Sequence, residues 1–140
     1  MDLYAGSGSY GLEALSRGAT HCTFIEEHRP AMKILEGNVQ VLKLEAASYK
    51  CVTLDAVSFC TQNRGGLQPD IIFVDPPFET LPESFENTLR ALEKGAMLGL
   101  DAIIVFEVDS KLRSLEIPER FEVLRDKKYG ASRLIMMRLV

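Results

Sequence analysis

Cysteine is scarce in this chain of 140 residues, and its pattern excludes two kinds of protein. Cys22, Cys51 and Cys60 form an odd set without a short paired spacing, which argues against a disulfide framework and against a zinc site. His21 and His28 have no cysteine or carboxylate around them at metal-ligand spacing, so no metal is expected. Long apolar runs are lacking as well. Ala102–Phe106 and Leu134–Met137 fall far short of the roughly 20 residues a spanning helix needs and read as buried strands, so no membrane partner is expected. No charged, apolar, small-residue succession opens the chain, which makes the cytoplasm the expected location.

Positive charge is also in short supply. The formal net charge is −4, an awkward balance for a protein that would hold nucleic-acid phosphates. The distribution is uneven, because residues 1–108 carry 8 basic and 15 acidic side chains, whereas residues 109–140 carry 8 and 5. Within that basic quarter, Lys127, Lys128 and Arg133 cluster near a final hairpin and are the candidates for RNA contact; a solvated charged surface is the competing meaning.

What is present suits one compact globular domain. The chain is 46% hydrophobic and 26% charged, enough to bury a core, and shows no repeat. Asp2–Ala5 reads as a strand that enters the glycine-rich stretch Gly6–Gly11, followed by a helix ending at Gly18. Further strands are predicted at Cys22–Ile25, Lys50–Leu54, Asp70–Val74 and Ala102–Val108, and two last ones at Phe121–Arg125 and Ser132–Leu139 around Tyr129-Gly130. Helices are predicted from Pro30 to about Leu44, over Ala56–Gln62 and Pro82–Lys94, with a short one over Ser110–Ser114. The continuous apolar run of Asp70–Val74 predicts a strand covered on both faces. Alternating strands and helices imply a three-layer α/β fold with a mostly parallel sheet, in which the closing hairpin makes one terminal strand antiparallel.

In such sheets ligands bind beyond the carboxyl ends of the strands, and the unusual residues fall there. Gly6, Gly8 and Gly11 either let backbone approach a ligand or simply make a tight turn. Glu26, 20 residues past Gly6, can accept both hydroxyls of a ribose. This pattern alone suits a dinucleotide-dependent oxidoreductase equally well. Asp2 tilts against it, since a carboxylate there suits an ammonium better than a pyrophosphate, unless it merely satisfies loop amides. Asp75-Pro76-Pro77-Phe78 is more specific. Prolines lack amide hydrogens, so a stiff chain presents open carbonyl oxygens. Asp75 and the Pro76 carbonyl can then accept both hydrogens of an exocyclic amine, aiming its lone pair at an electrophilic methyl. Phe78 offers a face on which the base stacks.

Asp2 to Ala19, with Phe24-Ile25-Glu26, Asp70 to Phe78 and Tyr129-Gly130, resembles the RsmD family of 16S rRNA guanine-N2 methyltransferases, within the class I group dependent on S-adenosylmethionine. The resemblance implies a Rossmann-like class I methyltransferase fold with a seven-stranded sheet. It implies that Asp2, Ala5, Gly6, Gly8, Gly11, Glu26, Asp55 and Asp75 surround the S-adenosylmethionine cofactor, with Asp55 at the adenine amine. Asp75, Pro76, Pro77 and Phe78 would hold the guanine, and the partner would be ribosomal RNA or the small ribosomal subunit. Members of that family carry a basic segment ahead of the first strand, whereas Met1 here sits on that strand, so the expectation is one methyltransferase domain over 1–140 without that segment. DNA or RNA adenine-N6 methylation and a non-catalytic cofactor-binding module are the remaining alternatives.

Overall fold

The computed structural model describes residues 1–112 and 115–140. Its strands are β1 (Asp2–Leu3), β2 (Cys22–Ile25), β3 (Tyr49–Val52), β4 (Ile71–Val74), β5 (Ile103–Asp109), β6 (Phe121–Tyr129) and β7 (Ser132–Leu139). They form one sheet in the order β3-β2-β1-β4-β5-β7-β6. Strands β1 to β5 run parallel, β7 is antiparallel to β5, and β6 is antiparallel to β7. Strand β7 is therefore reversed against the rest, as the predicted hairpin requires. The order turns back between β1 and β4, which opens a crevice at their carboxyl ends.

Among the described residues four helices flank the sheet: α1 (Ser9–Ser16), α2 (Arg29–Val41), α3 (Ala56–Gln62) and α4 (Glu83–Lys94). Helix α2 starts with Pro30 in its first turn, where the missing amide breaks no helical bond. Met32, Leu35 and Val39 recur at helical spacing and pack with Cys22, Phe24 and Ala5 on one face of the sheet. Truncating the fully buried Leu35 to alanine would cost about 2–5 kcal/mol. Helix α4 has Glu83 and Glu86 in its first turn and Lys94 in its last, which matches the helix dipole. It buries Phe85, Leu89 and Leu92 on the other face, where Phe85 meets Phe106 of β5 with ring centres 4.4 Å apart.

The coverage of the sheet is unequal, and this corrects one expectation. Ile72 and Val74 of β4 are buried against the α3–α4 side, but Ile71 is 43% exposed and Phe73 only half-buried. The α1–α2 layer packs mainly on β2 and β3, so the β4 run is covered fully on one face alone. Strand β6 is longer than expected and takes in Lys127 and Lys128, because β7 offers a partner along its whole length despite an irregularity between Val123 and Arg125. Helix α2 stops at Val41, and Lys43 beyond it adopts a left-handed φ of 52°. Two 3-10 turns, Ala46–Ser48 and Phe78–Thr80, were not anticipated. The short helix expected over Ser110–Ser114 lies partly outside the described residues; Ser110 and Lys111 make a turn in which the Lys111 amide donates to Asp109 Oδ1 over 2.8 Å.

Candidate active site

A cavity of about 840 Å3 opens at the carboxyl ends of β1 to β4. Glu26 follows β2, Asp55 follows the β3 segment, and Asp75, Pro76, Pro77 and Phe78 follow β4, and all line it. Sequence signals from three strand ends thus converge on one space of the size typical for small-molecule sites.

The glycine turn is built from the inside. Gly6 and Gly8 have φ values of 56° and 88°, a region where a side chain is strained. A Cβ on Gly11 would lie 2.2 Å from the Phe24 ring, so this glycine lets α1 press onto β2. Asp2, 1% exposed, sits beneath the turn and accepts the Gly11 amide over 2.9 Å. Burial pushes its pKa up to about 7; the Gly11 bond opposes that shift, and the Asp75 and Glu26 charges add to it. It lies under the turn and is not among the cavity-lining residues. Gly8 and Gly11 likewise face the protein's own side chains.

Glu26 ties two loops together. Its Oε2 accepts the Gly6 amide over 2.8 Å and its Oε1 the His28 amide over 2.7 Å. Each oxygen retains a lone pair for a further donor, which is what a ribose diol would require. Asp55 caps α3 by accepting the Ser58 amide over 2.9 Å, and hydrogen bonding with Ser58 lowers its pKa.

Asp75 is different in kind. No donor among the described residues reaches its carboxylate, and burial, then the Glu107 charge, push it up to about 6. The Pro77 carbonyl accepts both the amide and the hydroxyl of Thr80, at 3.0 and 2.8 Å, whereas no donor among the described residues reaches the Pro76 carbonyl. Phe78 begins the 3-10 turn and is 36% exposed at the cavity wall, not in the core. The loop therefore offers two open acceptors beside a bare aromatic face.

The family described as Conserved hypothetical protein 95 matches residues 1–138. The chain belongs to that family. Ribosomal RNA small subunit methyltransferase D of Escherichia coli is 36% identical over 130 residues, covering 93% of this chain and 63% of that protein, so the chain spans less than two thirds of this relative's length. The solved structure of a candidate methylase from Haemophilus influenzae superposes with a TM-score of 0.85 at 31% identity, over 99% of this chain and 84% of that one. A more distant neighbour, SMU.776, complexed with SAH, has a TM-score of 0.82 at 12% identity over 99% of this chain and 44% of that one, a likeness of fold alone. The resemblance to the RsmD family and the seven-stranded class I methyltransferase fold implied by it are borne out.

On this Conserved hypothetical protein 95 member, the basic candidates lie away from the cavity. Lys127 and Lys128 stand exposed on β6, with the Lys127 ammonium 5.1 Å from the Tyr129 ring centre. Arg133 on β7 pairs across the hairpin with Lys128, but its guanidinium is held by Asp126, with Nε 2.7 Å from Oδ1. Two lysines rather than three basic groups thus face solvent there.

Sequence reasoning missed several groups. Tyr4 lines the cavity, adopts a left-handed φ of 62° and hydrogen-bonds Thr88 through its hydroxyl over 2.8 Å. Ser84 lines it too, and its buried Oγ has no partner among the described residues. Glu107 on β5 accepts a hydrogen bond from Tyr10 and bonds the Ser132 hydroxyl. A lone acid inside an apolar strand was the available signal for Glu107. Among the described residues no group of three or more potential metal ligands occurs, and no helix is long and apolar enough to cross a membrane.

Proposed function

We propose that residues 1–140 are one methyltransferase domain that moves a methyl group from S-adenosylmethionine to the exocyclic N2 amine of a guanine in small-subunit ribosomal RNA, as free RNA or within the subunit, in the cytoplasm. The observation that carries this reading is the shared cavity: Asp75, Pro76, whose carbonyl has no donor among the described residues, and Phe78 line the same space as Glu26 and Asp55. The name of the Escherichia coli relative, a ribosomal RNA methyltransferase, supports the RNA class.

The residues present fit the cofactor. Glu26 has lone pairs left for the ribose hydroxyls, Asp55 lines the cavity as an acceptor for an adenine amine, and the turn beside them is fixed by Asp2 and Glu26. When bound there, S-adenosylmethionine supplies a methyl carbon on a cationic sulfur. Asp75 and the Pro76 carbonyl orient the amine by accepting its two hydrogens, and Phe78 holds the ring by stacking, a contact worth roughly 1–3 kcal/mol. Aligning the reacting atoms contributes most of the rate, since no covalent nucleophile is involved. A paired base would have to leave its helix to enter, at a cost of a few kcal/mol.

The oxidoreductase alternative fits less well. A dinucleotide pyrophosphate needs open amides at the glycine turn, and here the Gly6, Gly8 and Gly11 amides are taken by Glu26, by the Ala5 carbonyl and by Asp2. Two carboxylates under the turn also repel phosphate.

Labelled S-adenosylmethionine incubated with the protein and with small-subunit RNA or particles tests the reading. Transfer of label to a guanine N2, located by mass spectrometry, is the expected result. Label on adenine N6 moves the reading to the other amine, and cofactor binding without transfer makes the chain a binding module.

A further inference from the structure

Glu107 is an acidic side chain in the midst of the apolar residues of β5, and the sheet register places it beside the proline loop. Val74 of β4 pairs with Phe106 of β5, so the next residues along these parallel strands, Asp75 and Glu107, stand side by side. Val74 and Phe106 are buried on the α3–α4 face, and side chains alternate along a strand, so both carboxylates belong to the α1 face. Two further elements hold Glu107. The Tyr10 hydroxyl, from α1, donates to Oε2, and the Ser132 hydroxyl, from β7, bonds Oε1. Tyr10 is itself fixed, stacked on Phe73 of β4 at 5.2 Å and 14°.

Such a carboxylate cannot swing away. Its neighbour Asp75 has no donor among the described residues, so its environment is set by burial and by charge. Asp2 of β1 stands on the same face across Phe73, while Tyr4 after β1, Tyr10 on α1, Glu26, Glu27 and His28 after β2, Asp55 after β3, Glu79 in the 3-10 turn and Glu83 on α4 are the other titratable groups around the loop among the described residues. Of these, Glu107 is the charge that raises Asp75, after burial itself. A carboxylate more basic than usual, yet mostly ionised near neutral pH, suits a group that must take a proton.

We propose that Glu107, pinned by the Tyr10 and Ser132 hydroxyls, is a positioning residue that acts through Asp75 and keeps it competent to receive the proton released by the target amine. This rests on the methyl-transfer reading. In that step the amine nitrogen forms a bond to the methyl carbon, the carbon–sulfur bond breaks with its electron pair going to sulfur, and one nitrogen-bound proton passes to Asp75 and then to solvent.

Glu107→Gln in the full chain is the test, because glutamine keeps the size and can still bond both hydroxyls. Carbon-13 NMR of the Asp75 carboxyl is expected to show its titration midpoint falling from about 6 towards the ordinary carboxylate range. The acid limb of kcat/KM is expected to move to lower pH with it, and kcat to fall while KM for RNA and cofactor stays put. Tyr10→Phe, which releases one side of Glu107, should also lower kcat without changing KM, and it serves if the glutamine variant does not fold. An unchanged Asp75 midpoint in Glu107→Gln overturns the assignment on its own, without any need for turnover. A moved midpoint with an unmoved acid limb overturns it as well. Absence of methyl transfer by the wild-type protein instead overturns the reading beneath it, and the titration tells the two failures apart.

Discussion

At the carboxyl ends of β1 to β4, Glu26, Asp55 and Asp75 ring a cavity of about 840 Å3, whereas along β6 every side chain from Glu122 to Tyr129 stands in solvent. The first region fixes its carboxylates with backbone amides or burial; the second leaves Lys127 and Lys128 exposed. The difference separates two tasks. Acidic groups in a half-enclosed space favour a cationic ligand and repel phosphate, so the backbone of the proposed RNA substrate would be met elsewhere. The edge hairpin, in the basic quarter of the chain, is where such binding is possible.

The largest effect expected from breaking this division is at Asp75. Asp75→Ala should lower turnover by about 10²–10⁴-fold, the usual range for a missing proton-transfer group, while circular dichroism shows the fold intact. Near-normal turnover in that variant would place the chemistry outside the cavity. Phe78→Ala should be milder, raising KM for RNA by roughly 5- to 100-fold if the ring stacks the base. Steady-state kinetics decide it, and an unaltered KM with a lowered melting temperature would make Phe78 a packing residue.

Asp2 sharpens the contrast from the stability side. Its folded pKa, about 7, lies above the ordinary value of 3.8, so the folded state holds more protons between those values. The stability it contributes is complete below about 3.8 and is lost as pH rises through about 7. Asp2→Asn, which can still accept the Gly11 amide, should flatten that decline in melting temperature between about pH 4 and about pH 8. A wild-type slope retained by the variant would show that Asp2 is not the group responsible. The smallest effect belongs to the hairpin. Reversing Lys127 and Lys128 to glutamate should reduce the salt slope of RNA binding by about 0.7–0.9 for each phosphate no longer neutralised, leaving cofactor affinity unchanged. An undiminished slope would place the phosphate-binding groups on another surface.

Much of this division is visible in the residues themselves. Strand β2, helix α3 and strand β7 fall at their predicted limits, because β-branched runs, an aspartate cap and strict alternation each act locally. The Asp75–Phe78 loop was also legible, since two prolines after an apolar run admit few other conformations. What depends on tertiary packing was not. Ile71 and Ile72 are chemically alike, yet only helix placement on the two faces of the sheet exposes one and buries the other. That Asp2 accepts the Gly11 amide depends on how the glycine turn folds back over β1. Tyr10, Glu107 and Ser132 are far apart in sequence and meet only through sheet order.

A crystal structure with S-adenosylhomocysteine tests the central claim most directly. The account predicts that the ribose hydroxyls contact Glu26 and that the sulfur points at the space bounded by Asp75 and Phe78, close enough for an amine nitrogen to come within about 3–3.5 Å of a transferred methyl carbon. A ligand bound with its sulfur turned away from that loop, or outside the cavity altogether, would contradict it.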